Sequence, residues 1–213
     1  MMAAVMVAAA CSPGGSGVKK TPHGVSLKAD DGTRVRVEVV TDDIIHVEAV
    51  PKGEKFSTKE SLIVVPQEYG TEYEVTKTSD AVEIRTGSLV VTVCKEDGRV
   101  LYADAEGKPL TSEIAREFTP IEVDGDKAWT VHQTFSSPAD EAFYGLGQHQ
   151  ADEWNYKGKN EELYQYNTKI SVRSSSLPGT TVSSGTAIPS SAGETRGTTP
   201  ISAKSSRSMI RMV

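Results

Sequence analysis

The chain has 213 residues, 37% hydrophobic and 6% aromatic, with a formal charge of −6. That length suits one β-sandwich of ordinary size, and two cysteines are too few for a disulfide framework. His23, His46, His132 and His149 are scattered, so no Cys/His spacing points to zinc, and neither a metal nor another cofactor is expected.

Residues 1–24 read as a signal or lipoprotein segment followed by a linker. An apolar run of small residues leads to Ala8-Ala9-Ala10-Cys11 and then to Ser, Gly and Pro. The run is too short to span a bilayer as a helix. A cysteine directly after small residues resembles a bacterial lipoprotein cleavage site, which makes Cys11 the candidate lipidation residue and the chain an exported, periplasmic or outer-membrane lipoprotein. Two features depart from such a site: Ala8 stands three before the cysteine in place of Leu, and no Lys or Arg precedes the run. A cleaved soluble signal and an untargeted start are the alternatives. Cys94, within the apolar run 89–94, is expected to be a buried thiol.

From residue 25 the pattern is that of an all-β domain ending at 172. Val35, Val37 and Val39 alternate with Arg34, Arg36 and Glu38, giving one apolar and one solvated face. Ile45, Val47 and Ala49 alternate with Ile44, His46 and Glu48. Short strands are expected over 62–65, 73–78, 81–86, 89–95 and 129–135. Asp31-Gly32, Asp97-Gly98 and Asp124-Gly125 supply hairpin turns, because glycine accepts the positive φ such turns need. No amphipathic helix of convincing length interrupts them. The fold class is an antiparallel β-sandwich.

The stretch Asp140 to Val172 concentrates aromatics, amides, carboxylates and glycines. It reads D-E-A-F-Y-G-L-G-Q-H-Q-A-D-E-W-N-Y-K-G-K-N-E-E-L-Y-Q-Y-N-T-K-I-S-V. Gly145 and Gly147 in a strand-like context mark a bulge or a close approach. Gln148, His149, Trp154 and Tyr156 combine flat apolar faces with directional donors and acceptors, which a polyhydroxylated ligand such as a sugar requires. Trp154 and Tyr156 share one side if the segment is extended, either as core aromatics or as a wall beside a sugar. Tyr164, Tyr166, Thr168, Ile170 and Val172 alternate as one face of a strand over 163–172. The Lys157-Gly158-Lys159 turn is too small for a nucleic-acid patch on an acidic body.

Three adjacent acidic pairs, Asp140/Glu141, Asp152/Glu153 and Glu161/Glu162, invite a hydrolase reading. Glycoside hydrolysis needs two carboxyls facing each other across the bond, about 5 to 10 Å apart. Neighbours on an extended strand point to opposite faces, so no single pair meets that requirement.

D-E-A-F-Y-G-L-G-Q-H-Q, with N-Y-K-G-K and L-Y-Q-Y-N-T-K-I-S-V after it, resembles the N-terminal region of glycoside hydrolase family 31, and within it the bacterial α-xylosidases. The resemblance implies a galactose-mutarotase-like sandwich that packs on a (β/α)₈ barrel in the full-length enzyme and serves a carbohydrate substrate, an α-linked oligosaccharide. It implies that the family's catalytic aspartates lie downstream in that barrel. No residue here inherits a catalytic role, and the 213-residue chain is a non-catalytic fragment. A stand-alone surface lipoprotein that binds glycans through residues 144–156 is the alternative.

Residues 173–213 change character. Ser and Thr supply 17 of 41 positions, and no Phe, Tyr, Trp, Asp, Asn, Gln or His occurs. Composition predicts a disordered C-terminal tail. Codon degeneracy offers a second reading, since shifting the frame back one base from Arg173 permits three apolar residues, then D-Y-G, V-L-W-D and Y-S-L. The family resemblance calls for that type of continuation. On this reading the sandwich is incomplete, with an open edge beside residues 163–172.

Overall fold

The computed structural model describes residues 17–58, 68–150, 154–159, 163, 167–177, 181–185, 198–204 and 209–212. The described residues contain strands and no helix. They build two antiparallel sheets whose buried side chains meet in one core, the β-sandwich that the alternating pattern predicts.

The larger sheet opens with a meander: β1 (Gly17–Thr21), β2 (Gly24–Lys28), β3 (Arg34–Val39) and β4 (Ile45–Val50). Strict alternation of valines on β3 buries Val35, Val37 and Val39 and turns Arg34, Arg36 and Glu38 outward. The smaller sheet carries β5 (Glu74–Lys77), β6 (Ala81–Arg85), β7 (Leu89–Cys94), β8 (Val100–Asp104), β9 (Pro109–Val123) and β10 (Asp126–Ser136). Val25, Leu27, Val35, Val37, Ile45 and Val47 from one sheet pack on Val82, Ile84, Val91, Val93 and Val100 from the other. Burying each such side chain contributes about 1.5–3 kcal/mol. Cys94 is buried at the end of β7, as expected.

All three Asp-Gly pairs occupy turns with glycine at positive φ, and Asp124 shares the left-handed region with Gly125 (φ 52° and 86°). At Gly24 the demand is spatial, because a Cβ there would sit 2.0 Å from the Val37 carbonyl oxygen.

Several elements differ from the sequence expectation. β1 lies inside the stretch read as linker and pairs with β2 along its whole length. The expected strand over 62–65 lies outside the described residues. The strand expected from residue 163 begins only at Ile170, as β12 (Ile170–Leu177), because Asn167 and Thr168 form a turn. β11 (Tyr144–Gln148) pairs with one side of β12 from Ile170 to Ser176, and β13 (Thr181–Gly185) pairs with the other side from Ser174 to Leu177, stopping short of residues 170–172; among the described residues β11 is itself an edge of the sheet.

β13, β14 (Thr198–Lys204) and β15 (Met209–Met212) fall within the stretch read as a tail. β14 pairs with β10 and β15 with β4, each supplying backbone partners to groups that would otherwise be unpaired. The other residues of that stretch lie outside the described ones.

A bulge on β9 has an energetic consequence. Ala115 pairs with Thr134 but Glu113 with Phe135, so one extra residue, Ile114, interrupts the ladder. Residues three apart on a regular strand face opposite ways. The extra residue brings Glu113 and Arg116 to the same side, where both are buried and form an ion pair. Glu113 also accepts from Gln133 Nε2 (2.6 Å) and the Val100 N–H (3.1 Å). Burial holds the Glu113 carboxyl above its ordinary range despite the Arg116 charge beside it. Burial, and then the Glu113 charge, raise the nearby Tyr102 hydroxyl strongly.

Candidate functional site

After β10 the chain breaks at Ser137-Pro138, turns through Glu141, whose N–H donates to the Pro138 carbonyl (3.1 Å), and enters β11. Three successive residues of β11 have positive φ: Gly145 (103°), Leu146 (65°) and Gly147 (111°). Glycine reaches those angles freely, whereas a left-handed leucine costs about 1–2 kcal/mol. The partner register jumps at the same place, from Gly145 opposite Ser175 to Gly147 opposite Ser171. The two glycines thus mark a bulge, as their context predicts. Held strain of this kind concentrates at functional sites.

Residues 154–159 return across the start of β11 and are fastened to it. Asn155 Oδ1 accepts from the N–H groups of Phe143 and Lys157 (3.0 Å each), and the Tyr156 N–H donates to the Phe143 carbonyl (2.8 Å). Lys157 Nζ donates to the Pro138 carbonyl. A turn closes through Lys159 N–H to the Tyr156 carbonyl (3.0 Å), with Gly158 at φ 70°. A short amide side chain accepting two backbone donors is the local reason this segment holds its shape.

The four candidate residues separate into two layers. Tyr156 is buried, its hydroxyl 3.1 Å from His149 Nδ1, and the two rings meet edge to face at 5.7 Å. Trp154 is 78% exposed and lies 5.9 Å from the Tyr144 ring, tilted by 44°. The segment is not a strand at Trp154 and Tyr156, so the shared side expected of an extended chain is not observed. Tyr156 is the core aromatic and Trp154 the surface one. Gln148 ends β11 with an exposed side chain.

Sequence reasoning missed Tyr144 as the ring beside Trp154 and Asn155 as the residue that holds the segment. An aromatic directly before the glycine pair was the available signal for the first. An Asn before a Tyr-Lys-Gly turn carries none that is specific.

The segment offers an exposed indole next to a half-buried phenol, able to stack on an apolar face, and an exposed Gln148 amide able to hydrogen-bond hydroxyls. Of the acidic pairs, Asp140 is exposed and Glu141 half-buried in the turn before β11, while Asp152/Glu153 and Glu161/Glu162 lie outside the described residues. Cys11 lies outside them as well. Among the described residues no group of three or more His, Cys, Asp or Glu could hold a metal ion.

Residues 34–175 match the glycosyl hydrolase 31 N-terminal galactose mutarotase-like domain. The chain belongs to that family. This family 31 domain is similar in sequence and structure to the α-xylosidase of Xanthomonas citri, at 38% identity over 80% of this chain with a TM-score of 0.74. A family 31 α-xylosidase from a soil metagenome, solved with xylose, shares its fold over 92% of the chain (21% identity, TM-score 0.78). So does a family 31 dextranase of Flavobacterium johnsoniae (16% identity over 95%, TM-score 0.73). The domain spans 19%, 32% and 26% of those chains respectively.

Proposed function

We propose that residues 25–172 act as the non-catalytic N-terminal domain of an exported α-glycosidase of the α-xylosidase type. In this reading Trp154, with Gln148 and the His149–Tyr156 pair, lines the approach to a sugar site whose acid and nucleophile come from a separate barrel. The 38% identity to the Xanthomonas citri α-xylosidase, over 80% of this chain but only 19% of that enzyme, carries the proposal. Hydrolysis needs two positioned carboxyls, and the acidic pair within the described residues, Asp140/Glu141, is adjacent in sequence at the surface turn before β11. We assign the 213-residue chain alone no turnover.

Residues 173–213 are proposed to be read in a shifted frame. The family match ends at residue 175, close to the boundary that composition draws after Val172. Sequencing the DNA beyond the Val172 codon tests this. An alternative frame open into barrel-coding sequence supports it, and its absence removes it.

The enzymatic test compares the 213-residue chain with a protein whose frame is restored at Val172 and extended, using aryl α-xyloside and α-glucoside. Release of the aryl group by the restored protein alone is expected. Turnover by the chain itself would refute the non-catalytic reading. A folded, inactive restored protein that binds oligosaccharide through Trp154 would favour a stand-alone glycan-binding lipoprotein, a reading favoured by the 78% exposure of that indole.

A further inference from the structure

The outer face of the larger sheet carries two rows of charge that differ in one respect. In the first, Arg36 donates to Glu48 Oε2 (2.5 Å) and lies 3.7 Å from Glu38 Oε1, and Glu38 in turn meets His46 Nδ1 at 2.8 Å. Arg36 and His46 there each have a carboxylate. In the next row Lys28 stands directly opposite Arg34 in the β2–β3 register, and no ion pair reaches either among the described residues. Like charges directly opposed on a sheet destabilise it.

Lys19 of β1, in register with Ser26, and Lys52 and Lys55 from the loop after β4 lie with Lys28 and Arg34 around a groove of about 440 Å³. Its lining includes these five cations and one acid, Glu54, on a chain whose net charge is −6. Two of the cations, Arg34 and Lys52, have contacts that position them. The Arg34 guanidinium lies 4.9 Å from the Phe56 ring and donates to the Glu54 carbonyl (3.3 Å). Gly32, at φ 94°, leaves room for the Lys52 stem, since a Cβ there would come within 2.8 Å of Lys52 Cδ. Glu54 is engaged elsewhere, its Oε1 3.4 Å from Trp129 Nε1. A concave, partly glycine-walled cluster of positive charge is a site built for an anion.

We infer that this groove binds the phosphate groups of a membrane surface, the headgroups of an anionic lipid. Gly17, the first residue of β1, lines the groove and stands six residues after Cys11. Six residues reach about 20 Å at most, so a lipid on Cys11 keeps the groove within that distance of the bilayer. A basic surface is the kind of second signal that strengthens lipid anchoring. The inference rests on the lipoprotein reading for the orientation it assigns, and the test separates the two.

The test uses the full chain carrying Cys11→Ser, which has no anchor, and vesicles of phosphatidylglycerol in phosphatidylcholine or of phosphatidylcholine alone. Co-sedimentation is expected with the anionic vesicles only, and less as salt rises. Each groove lysine lost should weaken binding about fivefold, hence roughly a hundredfold for Lys28→Gln/Lys52→Gln/Lys55→Gln. Lys77→Gln/Lys108→Gln, on β5 and in the β8–β9 turn away from the groove, should change it little. The triple variant relieves a like-charge contact, so its melting temperature should not fall. Competition by inorganic phosphate supports recognition of the headgroup phosphate. Binding of inorganic phosphate without vesicle binding, retention on a carboxylated glycan in preference to vesicles, or equal binding by both variants overturns the inference. Because no lipid is attached, each result is independent of whether Cys11 is modified, which detergent partitioning of the native chain reports.

Discussion

Replacing Glu113 by Met tests the account of the β9 bulge. The side chains of Glu113 and Arg116 are 1% and 3% exposed, so the substitution leaves a guanidinium buried without its counter-charge. Breaking such a pair from one side costs about 3–5 kcal/mol. For a domain of this size each kcal/mol moves the melting temperature by about 2–4 °C, so the variant should melt roughly 6–20 °C lower. Arg116 Nε is buried without a hydrogen-bond partner, so the native pair is imperfectly satisfied and removing both charges should be tolerated better. Glu113→Met/Arg116→Met should recover at least about 2 kcal/mol of the single-variant loss. The Val100 N–H and Gln133 lose their acceptor in both variants, so that cost cancels in the comparison. Urea unfolding followed by tryptophan fluorescence measures each. A double variant no more stable than the single one would refute the argument that the unpaired charge dominates. The folded-state pKa of Glu113 is raised, so its contribution is full below the unfolded value and is lost as pH rises through the folded one; the variant should lack that decline.

Glu38 carries the opposite sign. The His46 hydrogen bond, with the Arg36 charge, lowers its pKa, so its contribution is present above the ordinary glutamate value of about 4.3 and is lost as pH falls through the folded one. His46→Ala should weaken that acid-side loss by about 1 to 2 kcal/mol, read from melting temperature between pH 7 and pH 3. Gly24→Ala should cost about 1–3 kcal/mol, because the clash is with backbone; an unchanged urea midpoint would contradict it. Gly147→Ala, at φ 111°, should cost a similar amount and disorder the Trp154 environment, seen as a shift in its emission. Native chain expressed in a suitable bacterium should partition into detergent and cease to do so on Cys11→Ser; equal partitioning would end the lipoprotein proposal.

Where burial is one-sided, the sequence was easy to read. On β3 only the valines face the core, so period two stands out, whereas β7 is buried on both faces and shows instead as a continuous apolar run. β9 hid because its distal half, beyond the bulge, is exposed or half-buried on both faces, leaving no alternation to detect. Glu48 reads as a solvent-facing charge, yet it is buried, and so is Glu113, which no sequence pattern singles out; their partners, Arg36 and Arg116, become visible only once strand pairing or a bulge brings them round. At the candidate site the glycine pair foretold the bulge. The division between Trp154 and Tyr156 did not show, because an asparagine clamp and a turn decide it, not strand periodicity. The backbone pairing of β14 and β15 was equally illegible, since Ser/Thr-rich segments join a sheet through main-chain groups that composition does not weigh.

Among the described residues, β11 is one of the two terminal strands of the larger sheet, opposite β1. A regular terminal strand is a template: its unpaired N–H and C=O groups repeat evenly, and another molecule can lengthen the sheet along them. Gly145, Leu146 and Gly147 break that repeat, because three successive left-handed residues swing the outward-facing peptide groups out of line. A strand arriving from a second copy would find matching partners at Tyr144 and lose them one residue later. The kink therefore leaves no even row of backbone groups for edge-to-edge pairing at this strand. A substitution that straightened it would be expected to show itself as concentration-dependent fibre growth, visible by light scattering even where the fold survives.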